Sequence, residues 1–146
     1  MRVEVELDWE AARPVTRDAS EQLNFPPDLR PVPAIYWFRF TGVGVTRHYV
    51  GEAEDLVRRM AGYRAGYEKQ TTNRRLNLRM NEHLKTGGQV EMSVATSGAV
   101  TVDGERRPLD LGRKVSRLLA EAAAMHAVPP GEPLENLPGP GDRAPA

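Results

Sequence analysis

The residues best equipped for chemistry lie in the middle of the chain. Tyr36, Tyr49, Tyr63 and Tyr67 supply phenol hydroxyls that can donate or accept hydrogen bonds. They flank a basic run. Between Val57 and Lys85 stand Arg58, Arg59, Arg64, Lys69, Arg74, Arg75, Arg79 and Lys85, against only Glu68 and Glu82, a local charge of about +6 from eight minus two. Such a stripe is the electrostatic footprint expected for phosphate backbones, and it is also what two ordinary solvated helix faces look like. Arg75 and Arg79 are four residues apart and share a helical face. Thr71-Thr72-Asn73 can cap the helix that carries them, and free amides at such a start also suit phosphate. His48, His83 and His126 have no metal-ligand spacing, and the absence of cysteine excludes thiol nucleophiles, thiolate zinc sites and disulfides.

The elements that must position these groups follow from periodicity. Ile35-Tyr36-Trp37-Phe38-Arg39-Phe40, bounded by Pro33 and Gly42, reads as a strand, and Thr46 to Gly51 as a second one. Gly42–Gly44 lets the two pair as a hairpin, so the rings of Tyr36 and Tyr49 can face each other across it. Leu56, Met60 and Tyr63 recur at helical spacing, as do Leu76, Met80 and Leu84 before Gly87-Gly88. Val90, Met92 and Val94 alternate as a third strand, and 96–107 turns back around Gly98 or Gly104. Val115, Leu118, Leu119, Ala122 and Met125 share one face of a helix over 111–128. Val3, Val5 and Leu7 alternate as an extra strand in front. Residues 10–33, rich in proline, read as a connector with one short helix near Asp18–Leu23. This order predicts an α/β (α+β) fold: a three-stranded, mainly antiparallel sheet flanked by helices, plus the N-terminal strand.

A chain of 146 residues supports one domain. Its organisation divides into an N-terminal extension over 1–32, a body over 33–136 and a Pro/Gly-rich tail over 137–146. The 20 Lys+Arg balance 20 Asp+Glu, so the zero net charge gives no global sign of a nucleic-acid or membrane partner. That balance is nonetheless a sum of opposed regions, because the basic run requires about −6 elsewhere, part of it in Glu4, Glu6, Asp8 and Glu10. No apolar run approaches the roughly 20 residues of a membrane helix, and the first residues lack the shape of a signal peptide, so a cytoplasmic location is the default expectation.

The ordered set Ala34-Ile35-Tyr36, Tyr49-Val50-Gly51, then Leu56, Arg59 and Tyr63, with Glu121 on a later helix, resembles the GIY-YIG nuclease superfamily. Members open with Gly-Ile-Tyr on one strand and Tyr-Ile-Gly on the next. Leu and Arg follow five and eight residues after that glycine, as Leu56 and Arg59 do here. Ala34 replaces the first glycine, and Tyr63 stands where His or Tyr is usual. Asn136 is the candidate for the terminal asparagine of the family, at the end of an unusually long, proline-rich segment. The resemblance runs from about Pro33 to Asn136.

This resemblance implies a divalent-metal-dependent endonuclease that hydrolyses DNA phosphodiesters. Glu121 would hold one Mg²⁺ or Mn²⁺, a hard cation suited to one carboxylate with waters and phosphate oxygens. Tyr36 would act as general base or position the water, helped by nearby positive charge because an ordinary phenol is a poor base at neutral pH. Arg59 would hold phosphate, Tyr49 would orient the site, and Tyr63 would do similar work. Arg58, Arg74, Arg75, Arg79 and Lys85 would track the nucleic-acid backbone. DNA is the implied partner, no membrane is, and a homodimer or specificity partner is left open. Two other readings stand beside it: a GIY-YIG-like nucleic-acid-binding module without catalysis, and a plain α/β interaction domain whose motif match is accidental. The discriminating observation is whether Tyr36, Tyr49, Arg59 and Glu121 converge in space, because reacting groups must meet at one phosphate.

Overall fold

The computed structural model describes residues 1–66 and 71–136. Tyr67, Glu68 and Lys69 of the basic run, and the tail over 137–146, lie outside the described residues. Ten elements follow one another: β1 (Val3–Trp9), β2 (Arg13–Arg17), β3 (Leu23–Asn24), β4 (Ala34–Thr41), β5 (Arg47–Ala53), α1 (Leu56–Ala65), α2 (Thr71–Lys85), β6 (Gln89–Val102), β7 (Glu105–Pro108) and α3 (Lys114–His126). The predicted α+β class holds, with the expected three-stranded sheet and extra N-terminal strand enlarged to one sheet of seven strands.

The long strand β6 organises the sheet. Its first half pairs with β4 on one side and β2 on the other, and its second half pairs with β1 and β7, all antiparallel. The order through the first half is β3-β2-β6-β4-β5. The predicted turn falls at Asp103-Gly104, both with positive φ, and returns the chain as β7. The short helix expected near Asp18–Leu23 is instead a hairpin turn between β2 and β3. There the Asp18 side chain accepts from the backbone of Ser20 and Gln22, a local bond that competes with helix formation.

Both faces of β4 are covered. Tyr36, Phe38 and Phe40 join Leu56, Met60, Tyr63, Leu76 and Met80 beneath α1 and α2, while Ile35 joins Val50, Ala95, Ala120 and Ala124 beneath α3. Asp55 caps α1, accepting from the Arg58 amide, and Gly66 ends it at φ 59°. Asn77 of α2 donates to the carbonyls of Tyr63 and Arg64, fixing α2 to the end of α1.

The face of α3 differs from expectation. Val115, Leu118 and Leu119 are 63%, 47% and 41% exposed, and the buried stripe is Arg117, Ala120 and Ala124. Two alanines allow the helix to approach the sheet closely. Arg117 also has to point inward, because its guanidinium donates to Glu52 at 2.7 Å and to the carbonyls of Leu111 and Gly112. Hydrophobic periodicity favours the large aliphatics, whereas this helix docks on its smallest residues.

Candidate active site

The β4–β5 register sets the first two tyrosines. Tyr36 lies opposite Gly51 and Phe38 lies opposite Tyr49, so the two tyrosines are diagonal neighbours on one face rather than directly opposed. Their rings stack with centroids 6.5 Å apart. The glycine is required by packing: a Cβ at position 51 would collide with the ring and hydroxyl of Tyr36. The third tyrosine comes from α1. Tyr63 stands edge-on to Tyr36, and their hydroxyls meet at 2.5 Å. Arg59, four residues earlier on the same helix, shares its face.

These groups form one electrostatic unit. Burial pushes the Tyr36 hydroxyl well above the ordinary phenol value, neighbouring Tyr63 and Tyr49 push it further, and Arg59 only partly offsets them. Tyr49 is raised for the same first reason, with contributions from Tyr63 and from the charge of Glu121, again against Arg59. Burial raises Tyr63, while polar contacts with Tyr36, Tyr49 and Arg59 pull it part of the way back. For Arg59, burial opposes the charge, but the neighbouring phenols in their ionised form and the Glu52 carboxylate outweigh it, so the guanidinium stays protonated throughout the range in which those phenols are neutral. The phenols are therefore neutral at physiological pH. They serve as hydrogen-bonding groups around one fixed cation, and desolvation outweighs the positive charge expected to make Tyr36 a base.

Glu121 sits at the edge of this unit, half-buried on α3. Burial and the negative charge of Glu52 raise its carboxyl above the usual range, against Lys114, the Glu52 backbone amide and Arg59. Glu52 itself is desolvated, but Lys114 and Arg117 bond it and hold it below the ordinary value. Two close carboxylates, one of them neutralised by cations and the other left partly uncompensated, leave Glu121 as the anion that gains most from an added cation. Among the described residues no group of three or more His, Asp or Glu gathers as a metal cage. Glu121 is the carboxylate that could hold a hard divalent ion, with solvent and phosphate to complete the shell. Sequence reasoning missed Glu52 and Arg117. The available signal was a carboxylate in the otherwise apolar run Val50 to Ala53.

The basic run disperses. Arg58 and Arg59, with Glu54, Asp55, Gly62 and Asn73, line a cleft of about 720 Å³ between α1 and α2, which meets the tyrosine unit through Arg59. Arg64 instead binds Asp18 at 2.7 Å, tying α1 to the β2–β3 turn. Arg74 and Lys85 are exposed on α2. Arg75 and Arg79 turn to the C-terminal segment and hold Glu135, through its carbonyl at 3.2 Å and its carboxylate at 3.0 Å.

That segment closes the edge of β5. The His48 amide donates to the Pro133 carbonyl and the Glu135 amide to the His48 carbonyl, a parallel bridge centred on His48 and Leu134. Asn136 accepts from the Val50 amide at 2.8 Å and donates to the Val50 carbonyl. It therefore satisfies the backbone next to Tyr49 and Gly51. His48, read from sequence as incidental, is buried between Trp37, which donates to its Nδ1 at 2.9 Å, and Glu132, 3.2 Å from its Nε2.

No protein-family model matches the chain, and no curated protein matches it. Among solved structures, a glutamate-to-alanine mutant of bacteriophage T4 EndoII is similar. The superposition covers 86% of this chain and 91% of that one, with a TM-score of 0.55 at 16% identity. The likeness is one of fold: an antiparallel sheet with three helices.

Proposed function

We propose that the chain is a metal-dependent endonuclease of the GIY-YIG type, acting on DNA phosphodiester bonds. The observation that carries this reading is convergence. Tyr36, Tyr49, Tyr63 and Arg59 share one set of polar contacts, and Glu121 borders it closely enough for its charge to act on Tyr49 and to respond to Arg59. An accidental motif match on an interaction domain gives no reason for residues from β4, β5, α1 and α3 to meet. The fold shared with a phage endonuclease supports the same reading.

Each group has a role that its environment suits. Arg59, held ionised and half-buried, binds the scissile phosphate and neutralises the charge that develops on it. The neutral hydroxyls of Tyr36, Tyr49 and Tyr63 hold the attacking water and the phosphate oxygens in line by hydrogen bonds. Glu121, once deprotonated, is the ligand for one Mg²⁺ or Mn²⁺, which when bound supplies a Lewis acid and an acidified water. Arg58, Arg74 and Lys85, all exposed, would follow the nucleic-acid backbone without reading bases.

The test is cleavage of supercoiled and branched DNA in Mg²⁺ or Mn²⁺, with Arg59→Ala and Glu121→Ala as controls. Cleavage that needs the cation and falls with both substitutions is expected. Salt-sensitive DNA binding without cleavage would favour the binding module instead, and neither binding nor cleavage would leave only the interaction domain.

A further inference from the structure

Three guanidiniums converge on one residue of the C-terminal segment. Arg47 donates to the Glu135 carboxylate at 3.1 Å on Oε1, Arg79 reaches Oε2 at 3.0 Å, and Arg75 donates to the Glu135 carbonyl at 3.2 Å. They come from β5 and α2, elements remote in sequence from Glu135. The Glu135 side chain is only 11% exposed, while those of Arg47 and Arg79 keep 46% and 38% exposure. The anion is inside and the cations face out. Together they line a concavity of about 360 Å³ that also holds Glu82. Three arginines against two carboxylates leave this surface positive by one charge, and by two without Glu135.

We propose that Arg47, Arg75 and Arg79 form a phosphate subsite whose place is taken by the chain's own Glu135, so that the segment Glu132–Asn136 acts as an internal competitor of nucleic acid. Two guanidiniums directed at the two oxygens of one carboxylate, with a third on the backbone carbonyl beside it, suit the two non-bridging oxygens and neighbouring ester oxygen of a phosphodiester. The location fits the same purpose. The segment grips the backbones of His48 and Val50, and Tyr49 of the active site lies between them. Its backbone pairing is one parallel bridge on the edge of a sheet, so a displacing phosphate backbone must also replace the two Asn136–Val50 hydrogen bonds and the Glu132–His48 contact. This inference refines the proposed endonuclease by assigning it a second phosphate contact and a gate, and it rests on that reading for the identity of the polymer.

The experiment measures binding of a short DNA duplex across a salt series in chelator, so that nothing is cleaved, for the wild type, Glu135→Ala, and Glu135→Ala with Arg47→Ala. The same proteins are titrated with tripolyphosphate. Glu135→Ala should tighten DNA binding by about fivefold or more and steepen its salt dependence by roughly one to two phosphate contacts. Adding Arg47→Ala should remove the gain. Equal or weaker binding by a folded Glu135→Ala protein, or a gain that survives loss of Arg47, would overturn the subsite. Should Glu135→Ala fail to fold, Glu135→Gln keeps the neutral hydrogen bonds and carries the same expectations at reduced size. Improved tripolyphosphate binding with no DNA binding by any form would keep the anion subsite and reject the nuclease; no change toward either probe would reject the subsite alone.

Discussion

The tyrosine unit and the arginine cluster both draw on β5, through Tyr49 and Arg47, and are built in opposite ways. In the first, three neutral phenols are buried in the main core around a single guanidinium, and the geometry is set by strand register and helix packing. In the second, three guanidiniums are half in solvent and are held together by a carboxylate from a short terminal segment. Burial fixes groups where geometry must be kept to within a fraction of an ångström, as bond-breaking requires. Solvent exposure keeps charge available for a long polyanion and leaves it sensitive to salt. The comparison predicts that damage to the first region abolishes chemistry or stability, while changes in the second adjust affinity.

The largest effects should fall on cleavage. Arg59→Ala removes the one cation within the phenol cluster, and a loss of roughly 10²–10³-fold in turnover is expected, the scale for removing a positioned transition-state donor. Arg59→Lys should recover little of it, because an ammonium cannot hold phosphate with two prongs. Single-turnover cleavage rates check both. Near-full activity in Arg59→Ala would show that the buried cation serves packing rather than chemistry.

Next come the supports of that region, read as stability. Arg117 and Glu52 are 6% and 9% exposed in their side chains, so Arg117→Ala leaves a nearly buried carboxylate with Lys114 alone. About 3 kcal/mol of destabilisation is expected in urea melts. Gly51→Ala drives a methyl into the Tyr36 ring, which the strand register does not let move far, and should cost about 1–3 kcal/mol together with cleavage. Tolerance of alanine at 51 would mean that the tyrosine ring can be displaced without consequence. No comparable loss is expected from Arg47→Ala, because Arg47 is itself half exposed and Arg79 still holds the Glu135 carboxylate.

The same pair of carboxylates gives a pH signature. Glu121 must be ionised to take a cation, and burial with the Glu52 charge raises its carboxyl, so the acidic limb of the cleavage profile should lie above the ordinary glutamate range. Glu52→Gln removes that negative neighbour and leaves Lys114 and Arg59 acting on Glu121, which shifts the limb to lower pH. Stability should respond with opposite signs. Glu52, lowered in the fold, contributes stability above the ordinary carboxylate range that is lost as pH falls through its folded value. Glu121, raised in the fold, contributes stability below that range that is lost as pH rises through its folded value. Cleavage and melting profiles of both proteins test this. An unmoved acidic limb in Glu52→Gln would separate the two carboxylates functionally.

The two regions were also unequally legible in the sequence. The β4–β5 hairpin, α1 and α2 follow from local patterns, and they bring the rings of Tyr36, Tyr49 and Tyr63 together. The face of α3 is turned from the one its large aliphatics suggest: its docking stripe is alanine and an inward arginine, neither of which hydrophobic periodicity rewards. Strands β2 and β3 were missed because Pro14 and the short run Leu23–Asn24 carry little strand signal until β6 pairs with β2. The arginine cluster was the least legible part. Arg75 and Arg79 were recognised as a shared face, but Glu135 and Arg47 join them only through the tertiary fold, and no local pattern connects residues so far apart in the chain.

The smallest effect separates the arginines within the basic run. Arg74 is exposed on α2 beside Arg75, whose guanidinium is committed to the Glu135 carbonyl. If both simply coat a polyanion, their alanine variants should weaken DNA binding alike. Different neighbourhoods imply different outcomes. Arg74→Ala should lower affinity only a few-fold at all sequences and reduce the salt slope by about one contact, the effect of one exposed phosphate partner. Arg79→Ala removes both a phosphate donor and one of the cations restraining the C-terminal segment. Its cost in binding should therefore be smaller than its charge suggests, since the loss of a contact is partly offset by a looser competitor. In a Glu135→Ala background that compensation disappears, and Arg79→Ala should then cost at least as much as Arg74→Ala. Salt-series binding of the four proteins measures the difference directly, and equal costs in both backgrounds would show that the terminal segment and the nucleic acid do not compete for the same arginines.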